Sequence, residues 1–350
     1  MNPGTWLTAV LLGLLIAAPL TAHGNEMDLE TLSRQKVHHR NGRFFNPWLK
    51  DDPPGGLFRF LKWKFSSNPY KSDKKTPPRI PQVQASVRQI LNQGDSLTYL
   101  GHATFWIRLG HHNILTDPVF NHVGFFIDRQ TPFPIPPKEL PIPEVVLISH
   151  NHYDHLNVES LQLLGQGPLY LTPLGYKDWF KEVIPQARVI ELDWFEAYTY
   201  QNITYRLLPS QHWTKRGLRD TNRSLWGSWL IEGEKEKVFF AGDTGYFLGF
   251  KEFGQKFGPI DAAILPIGGY EPRWFMKMHH MNPQEAVQAF LDLKARALIP
   301  AHWGVFDLTD EPLDRPAADL NNAARDSKVA LDEIILLPVG GTWELPQTRP

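Results

Sequence analysis

Short apolar runs, separated by polar stretches rich in glycine and proline, dominate the chain from about residue 96 onward. Seven of these runs have the length and the β-branched or aromatic content of strands. They are Leu97–Leu100, Thr104–Leu109, Val145–Ile148, Ile203–Leu208, Val238–Phe240, Ala262–Leu265 and Ala297–Ile299. Segments with helical spacing lie between some of them. The pattern therefore predicts one α/β domain that covers residues 96–350.

The clearest helical segment is Pro283–Ala295. Asn282 stands at its N-cap position, proline occupies the first helical position, and Glu285 is placed to complete a capping box. Helical spacing gives this segment one apolar face, made of Val287, Phe290 and Leu291. We expect a helix with a well-defined start that packs on the sheet.

The first 24 residues have the pattern of an export signal. Leu7 to Leu20 is almost wholly apolar, it is too short to span a bilayer comfortably, and small residues follow at Ala22 and Gly24. We expect a cleaved signal peptide, with an uncleaved membrane anchor as the alternative. In a bacterium the mature protein would then be periplasmic or peripheral to a membrane.

Residues 25–95 form a segment of different composition, rich in proline and aromatic residues. Between Arg34 and Arg88 there are 13 Lys or Arg against 3 Asp, a surplus of 10 positive charges. The run Leu57–Phe65 interleaves aromatic and cationic side chains, which suits an anionic membrane surface. The alternative is an arm that packs its aromatic residues on the main domain and leaves its cations in water.

Whole-chain composition limits the chemistry. The 350 residues carry a formal net charge of −1, which argues against a general nucleic-acid binder. Cysteine is absent, so disulfides, thiolate metal ligands and cysteine nucleophiles are excluded. Any metal must therefore be held by imidazole and carboxylate groups.

The segment His150–His155 carries three imidazoles and one carboxylate: His150, His152, Asp154 and His155. It follows a predicted strand, where a loop can turn several side chains toward one point. A mononuclear site needs only three or four protein ligands. Because further candidates occur elsewhere, the cluster indicates two metal ions.

The further candidate ligands each follow another predicted strand; they are His212, Asp243 and His302. Strand ends that lie at one edge of an α/β sheet converge in space, and sites are built there. Seven nitrogen and oxygen ligands without sulfur suit zinc, with iron or manganese as alternatives.

These seven residues together resemble the ligand motif of the metallo-β-lactamase superfamily. Finer motifs, between about Asn41 and His302, resemble the N-acyl-phosphatidylethanolamine-hydrolysing phospholipase D family. They are Gly101-His102-Ala103-Thr104, Thr116-Asp117-Pro118, Gln211-His212-Trp213, Leu225-Trp226-Gly227-Ser228-Trp229, Gly242-Asp243-Thr244-Gly245-Tyr246 and His302-Trp303-Gly304.

The resemblance implies a four-layer αββα sandwich with two zinc ions in a cleft. It implies that one ion is held by His150, His152 and His212 and the other by Asp154, His155 and His302, with Asp243 between them. His102 and Asp117 are expected near the cleft without touching metal, either to orient ligands or as hydrogen-bonded core residues. It also suggests a homodimer.

The expected reaction is phosphodiester hydrolysis of a phospholipid by a hydroxide shared between the ions. Asp154, Asp243 and His280 are the candidate catalytic residues. His280 precedes a predicted helix, whose N-terminus favours a phosphate, and the resemblance places a histidine there against the substrate phosphate. The neighbouring His279 leaves the choice between the two histidines open.

Other side chains near the motifs are weaker candidates for substrate contact. Arg216 and Arg273 would meet a phosphate or head group, or else remain solvated at the surface. Aromatic residues would line an acyl groove or belong to the core; they are Trp213, Trp226, Trp229, Tyr246 and Trp274.

Two alternatives remain beside the lipid phosphodiesterase. One is a hydrolase of the same superfamily that acts on a lactone, an amide or a soluble phosphodiester. The other is a metal- or lipid-binding protein without turnover, which a complete ligand set disfavours. β-Lactamase activity is disfavoured by the Asp154-His155 pair, and nuclease activity by the acidic character of the domain.

Overall fold

A computed structural model describes residues 28–49, 56–92, 94–124 and 127–346. The predicted signal peptide, residues 1–24, lies outside the described residues, so export stays a prediction. Within the described part of the chain, no helix has the length and apolar character needed to cross a bilayer.

Two large mixed sheets form the centre of the molecule, beside two short hairpins. The strands are β1 (His39–Arg40), β2 (Arg43–Phe44), β3 (Ser96–Gly101), β4 (Thr104–Leu109), β5 (His112–Thr116), β6 (His122–Val123), β7 (Ile127–Asp128), β8 (Val145–Leu147), β9 (Leu169–Pro173), β10 (Arg188–Leu192), β11 (Ala197–Tyr200), β12 (Ile203–Leu208), β13 (Ser228–Glu232), β14 (Lys237–Phe240), β15 (Ala262–Pro266), β16 (Leu298–Ala301) and β17 (Thr342–Glu344). The first sheet has the order β10-β9-β8-β5-β4-β3-β17 and the second β11-β12-β13-β14-β15-β16.

The helices of the described residues connect or flank these strands. They are α1 (Leu29–Arg34), α2 (Leu57–Phe65), α3 (Val87–Asn92), α4 (Val158–Leu164), α5 (Lys177–Val183), α6 (Gly249–Lys256), α7 (Arg273–Met276), α8 (Pro283–Asp292) and α9 (Arg315–Asp326). Short 3₁₀ turns cover Asp73–Lys75, Pro137–Glu139 and Leu331–Glu333.

Strand alternation explains why the sheets are buried on both faces. Along β8, Val145 and Leu147 belong to the main core, whereas Val146 and Ile148 belong to a second core. Successive strand residues point to opposite faces, so a strand that is apolar at every position needs a partner layer on each side.

Helices supply the outer layers. Leu161 of α4 and Phe180 of α5 pack in the second core, against the outer face of the first sheet. Phe250 of α6, Val287 of α8 and Leu320 of α9 belong to the main core together with the second sheet. The result is the four-layer αββα sandwich, as the sequence predicts.

All seven predicted strands are present, and their observed ends differ from the predicted ends by two residues at most. Six further strands of the two sheets are not among those predicted from the sequence; they are β5, β9, β10, β11, β13 and β17. Arg188–Leu192, at one sheet edge, is partly exposed along most of its length, so it lacks the apolar run on which the prediction depends.

The predicted helix exists and begins as expected, but of its predicted buried face only Val287 and Phe290 are buried, whereas Leu291 is 45% exposed. Asn282 and Glu285 form the capping box, and proline occupies the first turn. The helix ends at Asp292, three residues before the predicted end at Ala295. Lys294 adopts a left-handed conformation with φ 53°, and the N–H of Ala295 reaches back to the carbonyl of Phe290 at 3.3 Å, which terminates the helix.

Residues 28–49 contact the sandwich near the strand ends that carry the candidate ligands. Asn46 Nδ2 donates to the carbonyl of His212 at 2.9 Å, and Trp48 Nε1 donates to Gln211 Oε1 at 3.0 Å. This N-terminal segment therefore takes part in the surroundings of the site.

Candidate metal centre

Three imidazoles form one group of potential metal ligands. His150 Nε2 lies 2.9 Å from His152 Nδ1, which lies 3.2 Å from His212 Nε2. These three nitrogens all lie within 4.8 Å of one another. His150 and His212 are buried, whereas His152 is partly exposed at the opening. Three convergent imidazole nitrogens are a common ligand set for zinc.

Asp154, His155 and His302 form a second group beside the first. Asp154 Oδ2 lies 3.5 Å from both His155 Nε2 and His302 Nε2. His102 Nε2 lies 3.1 Å from the same carboxylate oxygen and completes the group. The loop after β8 and the loop after β16 thus bring their side chains to one point.

Asp243 stands between the two groups. Its Oδ2 lies 3.2 Å from the Nε2 atoms of both His155 and His302. The same oxygen lies 3.9 Å from His150 Nε2 and 4.0 Å from His212 Nε2. One carboxylate oxygen therefore faces ligands from both groups, the position that the resemblance assigns to a bridging residue. These seven side chains, His150, His152, Asp154, His155, His212, Asp243 and His302, are called the ligand cluster below.

Outer hydrogen bonds fix the orientation of several imidazoles. Asp117 Oδ2 lies 2.7 Å from His155 Nδ1 and accepts the Ser149 hydroxyl at 2.5 Å. That hydroxyl lies 2.9 Å from His150 Nδ1, and the carbonyl of His279 lies 3.0 Å from His212 Nδ1. Since the Nδ1 side of each ring is engaged in this way, Nε2 is the nitrogen that faces the cluster. Asp117 thus contacts the side of the His155 ring that points away from Asp154 and Asp243.

Burial and charge set the protonation of the cluster. Burial, together with neighbouring histidines, lowers the pKa of His150 and of His212 well below the usual value. Burial opposes protonation of His302 as well, but the Asp243 and Asp154 carboxylates raise the pKa of His302 to about 9. The first group thus holds neutral imidazoles. The second group contains the negative carboxylates of Asp154 and Asp243 in a buried place, where nearby positive charge stabilises them. A bound cation can supply this charge in place of the proton on His302.

The residues of the cluster fit a metal centre. His155 Nε2, His302 Nε2 and Asp243 Oδ1 are buried polar atoms without a hydrogen-bond partner. Such atoms are rare in folded proteins because an unsatisfied buried polar group is costly. Three of them, aimed into a group of imidazoles and carboxylates, match the donor set for zinc, iron or manganese. The identity of the metal is open.

Arg216 has a different role from substrate contact. Its Nη1 donates to the carbonyls of Asn151 and Leu156, at 2.9 and 2.7 Å, and its guanidinium lies 4.1 Å above the ring of Tyr153. The side chain thus holds both ends of the ligand loop. The sequence left two alternatives for Arg216, a phosphate or head-group contact and a solvated side chain; the structure shows a third role, since its guanidinium binds backbone carbonyls.

His280 and His279 are separated by their surroundings. His280 Nδ1 lies 3.8 Å from Asp243 Oδ2, whereas His279 supplies its carbonyl to His212. Arg273 donates from Nη1 to the carbonyl of His280 at 3.0 Å and pairs with Glu285 at 2.8 Å. Geometry favours His280 as the residue beside the reaction centre. Arg273 therefore supports the backbone at His280, a role that neither of the two alternatives from the sequence, head-group contact or solvation, describes.

The N-terminus of α8 has fewer free N–H groups for an anion than the sequence predicts. The side chain of Asn282 accepts from the backbone of Glu285, and the side chain of Glu285 accepts from the backbone of Asn282. Since these donors are engaged, an anion at this end of the helix would depend on His280 itself.

A cavity of about 460 Å³ opens beside the cluster. Its polar side includes His152, Asp154, Asp243, His280 and His302. Its apolar wall includes Phe60, Trp63, Phe275, Met276 and Leu308. Phe60 and Trp63 come from α2, and Lys215 adds one cation to the lining. Sequence reasoning did not identify this wall, because its members are far apart along the chain.

The predicted aromatic groove is only partly correct. Trp213 lines the cavity. Trp226 and Trp229 are fully buried and donate to the carbonyls of Ser210 and Ile148, both at 2.9 Å, so they are core residues. Tyr246 packs on Phe250 and lies outside the cavity.

Comparison with known proteins agrees with the geometry. The model of the beta-lactamase superfamily domain matches residues 112–303. The chain is 33% identical to N-acyl-phosphatidylethanolamine-hydrolyzing phospholipase D 1 of Caenorhabditis elegans, over 94% of this chain and 97% of that protein. It is 37% identical to the mitochondrial protein of that name from Saccharomyces cerevisiae, over 65% of this chain and 51% of the yeast protein.

A solved structure supports the same fold. The crystal structure of a possible metal-dependent hydrolase from Veillonella parvula superposes with a TM-score of 0.58 at 15% identity, over 72% of this chain and all of that one. The sandwich, the ligand cluster and these similarities lead to one conclusion. The chain belongs to the metallo-β-lactamase superfamily and is a metal-dependent hydrolase similar to the N-acyl-phosphatidylethanolamine-hydrolysing phospholipases D.

Proposed function

We propose that the protein binds two zinc ions and hydrolyses the phosphodiester bond of N-acyl-phosphatidylethanolamine or a related phospholipid, releasing phosphatidic acid. The similarity to relatives that carry this activity in their names supports the substrate class. The apolar wall beside the ligand cluster supports it independently.

The main observation behind the proposal is that one cavity has both a polar surface, the ligand cluster, and an apolar surface. An apolar wall faces the polar cluster across a cavity of about 460 Å³. A ligand that fills this space needs a charged or polar group at one end and hydrocarbon at the other. A phospholipid has both, whereas a small soluble diester would leave the wall in contact with water.

Bound divalent cations would lower the pKa of a water molecule and neutralise negative charge on the phosphoryl oxygens. The chain supplies the remaining elements. His150, His152 and His212 would hold one ion, Asp154, His155 and His302 the other, and Asp243 both. Asp117 would keep His155 in the orientation that presents Nε2 to the cluster.

His280 is the residue we assign to the substrate phosphate or the leaving alkoxide. Its Nδ1 lies 3.8 Å from Asp243 Oδ2, and the ring lines the cavity. Burial lowers the pKa of His280 to about 4, so its imidazole is neutral near pH 7. One nitrogen of a neutral imidazole donates, and Arg273 holds the backbone that positions it.

Product analysis tests the proposal. Metal-loaded protein is incubated with N-acyl-phosphatidylethanolamine in heavy-oxygen water, and the lipids are examined by mass spectrometry. We expect N-acylethanolamine and phosphatidic acid, with the heavy oxygen in the phosphatidic acid. The Asp154→Ala variant serves as the inactive control. Diacylglycerol as product, or no cleavage by fully metal-loaded protein, would refute the phospholipase D assignment.

A substrate panel separates the alternative hydrolases. A lactone and a chromogenic soluble diester are compared with the phospholipid at matched enzyme concentration. If kcat/KM for the lactone or soluble diester exceeds that for every phospholipid, the substrate class is wrong although the metal-dependent hydrolase remains.

A further inference from the structure

Within the part of the chain that the structure describes, an exposed apolar stripe runs along the outside of α2. Phe58 and Phe65 are 83% and 86% exposed, and Leu61 is 40% exposed. Their spacing of three and seven residues puts them on one helix face. Exposed Phe at this level is unusual for a soluble surface, and three apolar side chains in one row indicate a binding surface.

The orientation of α2 keeps this stripe outside. Trp63, on the opposite face, is buried; its Nε1 donates to Asp310 Oδ1 at 3.0 Å, and its ring stacks on Phe275 at 5.3 Å. Arg59 donates to the carbonyl of Trp274 at 3.1 Å. These contacts fix the rotation of the helix, so the stripe does not turn inward.

Cations border the stripe. On a helical projection Lys62 and Lys64 lie on its two sides, and α2 contains no acidic residue. Lys62 Nζ lies 5.0 Å above the ring of Trp274, which is itself 43% exposed. The chain from Arg34 to Arg88 carries 13 Lys or Arg and 3 Asp. Apolar side chains edged by long cations suit an anionic membrane interface, where the ammonium groups reach the head groups.

We propose that α2 lies in the surface of an anionic lipid bilayer, with Phe58, Leu61, Phe65 and Trp274 inserted among the acyl chains. The inner face of the same helix contributes Phe60 and Trp63 to the cavity wall. Docking through the outer face therefore brings the cavity to the membrane. Binding to the bilayer does not depend on the proposed hydrolysis, so either can fail alone.

Vesicle flotation tests the surface directly. Metal-loaded full-length protein is mixed with vesicles of phosphatidylcholine, with or without phosphatidylglycerol, and no N-acylated lipid is present. We expect stronger binding to the anionic vesicles, which weakens as salt is raised because surface charge is screened. The Phe58→Ala/Phe65→Ala variant should lose about 10-fold or more in partition coefficient, since two rings no longer leave water.

A matched control and an activity measurement separate docking from misfolding. Leu163 and Leu331 are 41% and 47% exposed on other parts of the surface, so Leu163→Ala/Leu331→Ala should bind vesicles like the wild type. The Phe58→Ala/Phe65→Ala variant should hydrolyse a soluble chromogenic diester at the wild-type rate. Lys62→Gln should reduce binding only to anionic vesicles.

Three outcomes would overturn the proposal. The wild type floats with neither kind of vesicle, or the double phenylalanine variant binds as well as the wild type. In the third outcome, sedimentation without lipid shows that the wild type is a dimer and that the Phe58→Ala/Phe65→Ala variant is a monomer. The partner of the stripe would then be a second copy of the chain.

Discussion

The ligand cluster and the apolar wall face each other across one cavity but differ in where their residues come from. The cluster is built from loops that follow strands of the two sheets, and Asp117 and Ser149 hold its rings from behind. The wall combines α2 with residues from the segments around α7 and β16. Chemistry is thus fixed by the sandwich, whereas the space for a substrate depends on a segment added at its N-terminal side.

The difference leads to separable effects of mutation. Changes in the cluster should alter metal content and activity on every substrate. Changes in the wall should alter only the affinity for substrates that carry hydrocarbon.

Asp243→Asn should have the largest effect. The substitution keeps the volume but removes the charge that faces five imidazoles, so we expect metal content to fall by about half or more and kcat/KM by about 10³-fold or more on all substrates. Elemental analysis and kinetics measure this. Asp326→Asn, at the exposed end of α9, should change neither. Full metal content in Asp243→Asn would show that this residue does not hold the ions.

His280→Ala should lower kcat by about 10²- to 10⁴-fold, the usual contribution of a positioned acid or phosphate ligand. Metal content should stay at the wild-type level because His280 is not one of the seven proposed ligands. His279→Ala is the comparison variant. This substitution leaves the backbone carbonyl of residue 279 in place, so the carbonyl still accepts from His212. An unchanged kcat/KM in His280→Ala would remove this histidine from the mechanism.

Asp117→Asn should weaken metal binding by about 10- to 100-fold, because it orients a ligand instead of contacting the metal. At saturating metal we expect most of the activity to return, in contrast to Asp243→Asn. Metal titration of the two variants in parallel makes the comparison. Asp128→Asn, in an exposed hairpin, is the control. If saturating metal restores nothing, Asp117 does more than orient His155.

Phe275→Ala should change the apolar wall and leave the ligand cluster intact. Loss of one ring from an apolar pocket should raise KM for a long-chain phospholipid by about 10-fold. We expect kcat/KM for a soluble diester and the metal content to stay within about twofold. Leu291→Ala, an exposed residue of α8, controls for general loss of apolar surface. Equal losses on both substrates would mean that the wall supports the cluster structurally.

The sequence predicted the cluster better than the wall for a physical reason. His212, Asp243 and His302 each follow a strand with a clear apolar run, so local pattern and strand-end geometry bring them together. Trp63 and Phe275 meet only because α2 folds back over the sandwich, which no local pattern specifies. Arg216 shows the same limit, since its guanidinium reaches carbonyls 60 and 65 residues away.

The most direct test of the account is an anomalous-difference map from crystals of the protein saturated with zinc. We predict two peaks in the ligand cluster, one beside His150, His152 and His212 and the other beside Asp154, His155 and His302, both in contact with Asp243. A map without a peak in the cluster, or with a single peak that leaves one group of ligands unbound, would contradict the dinuclear centre.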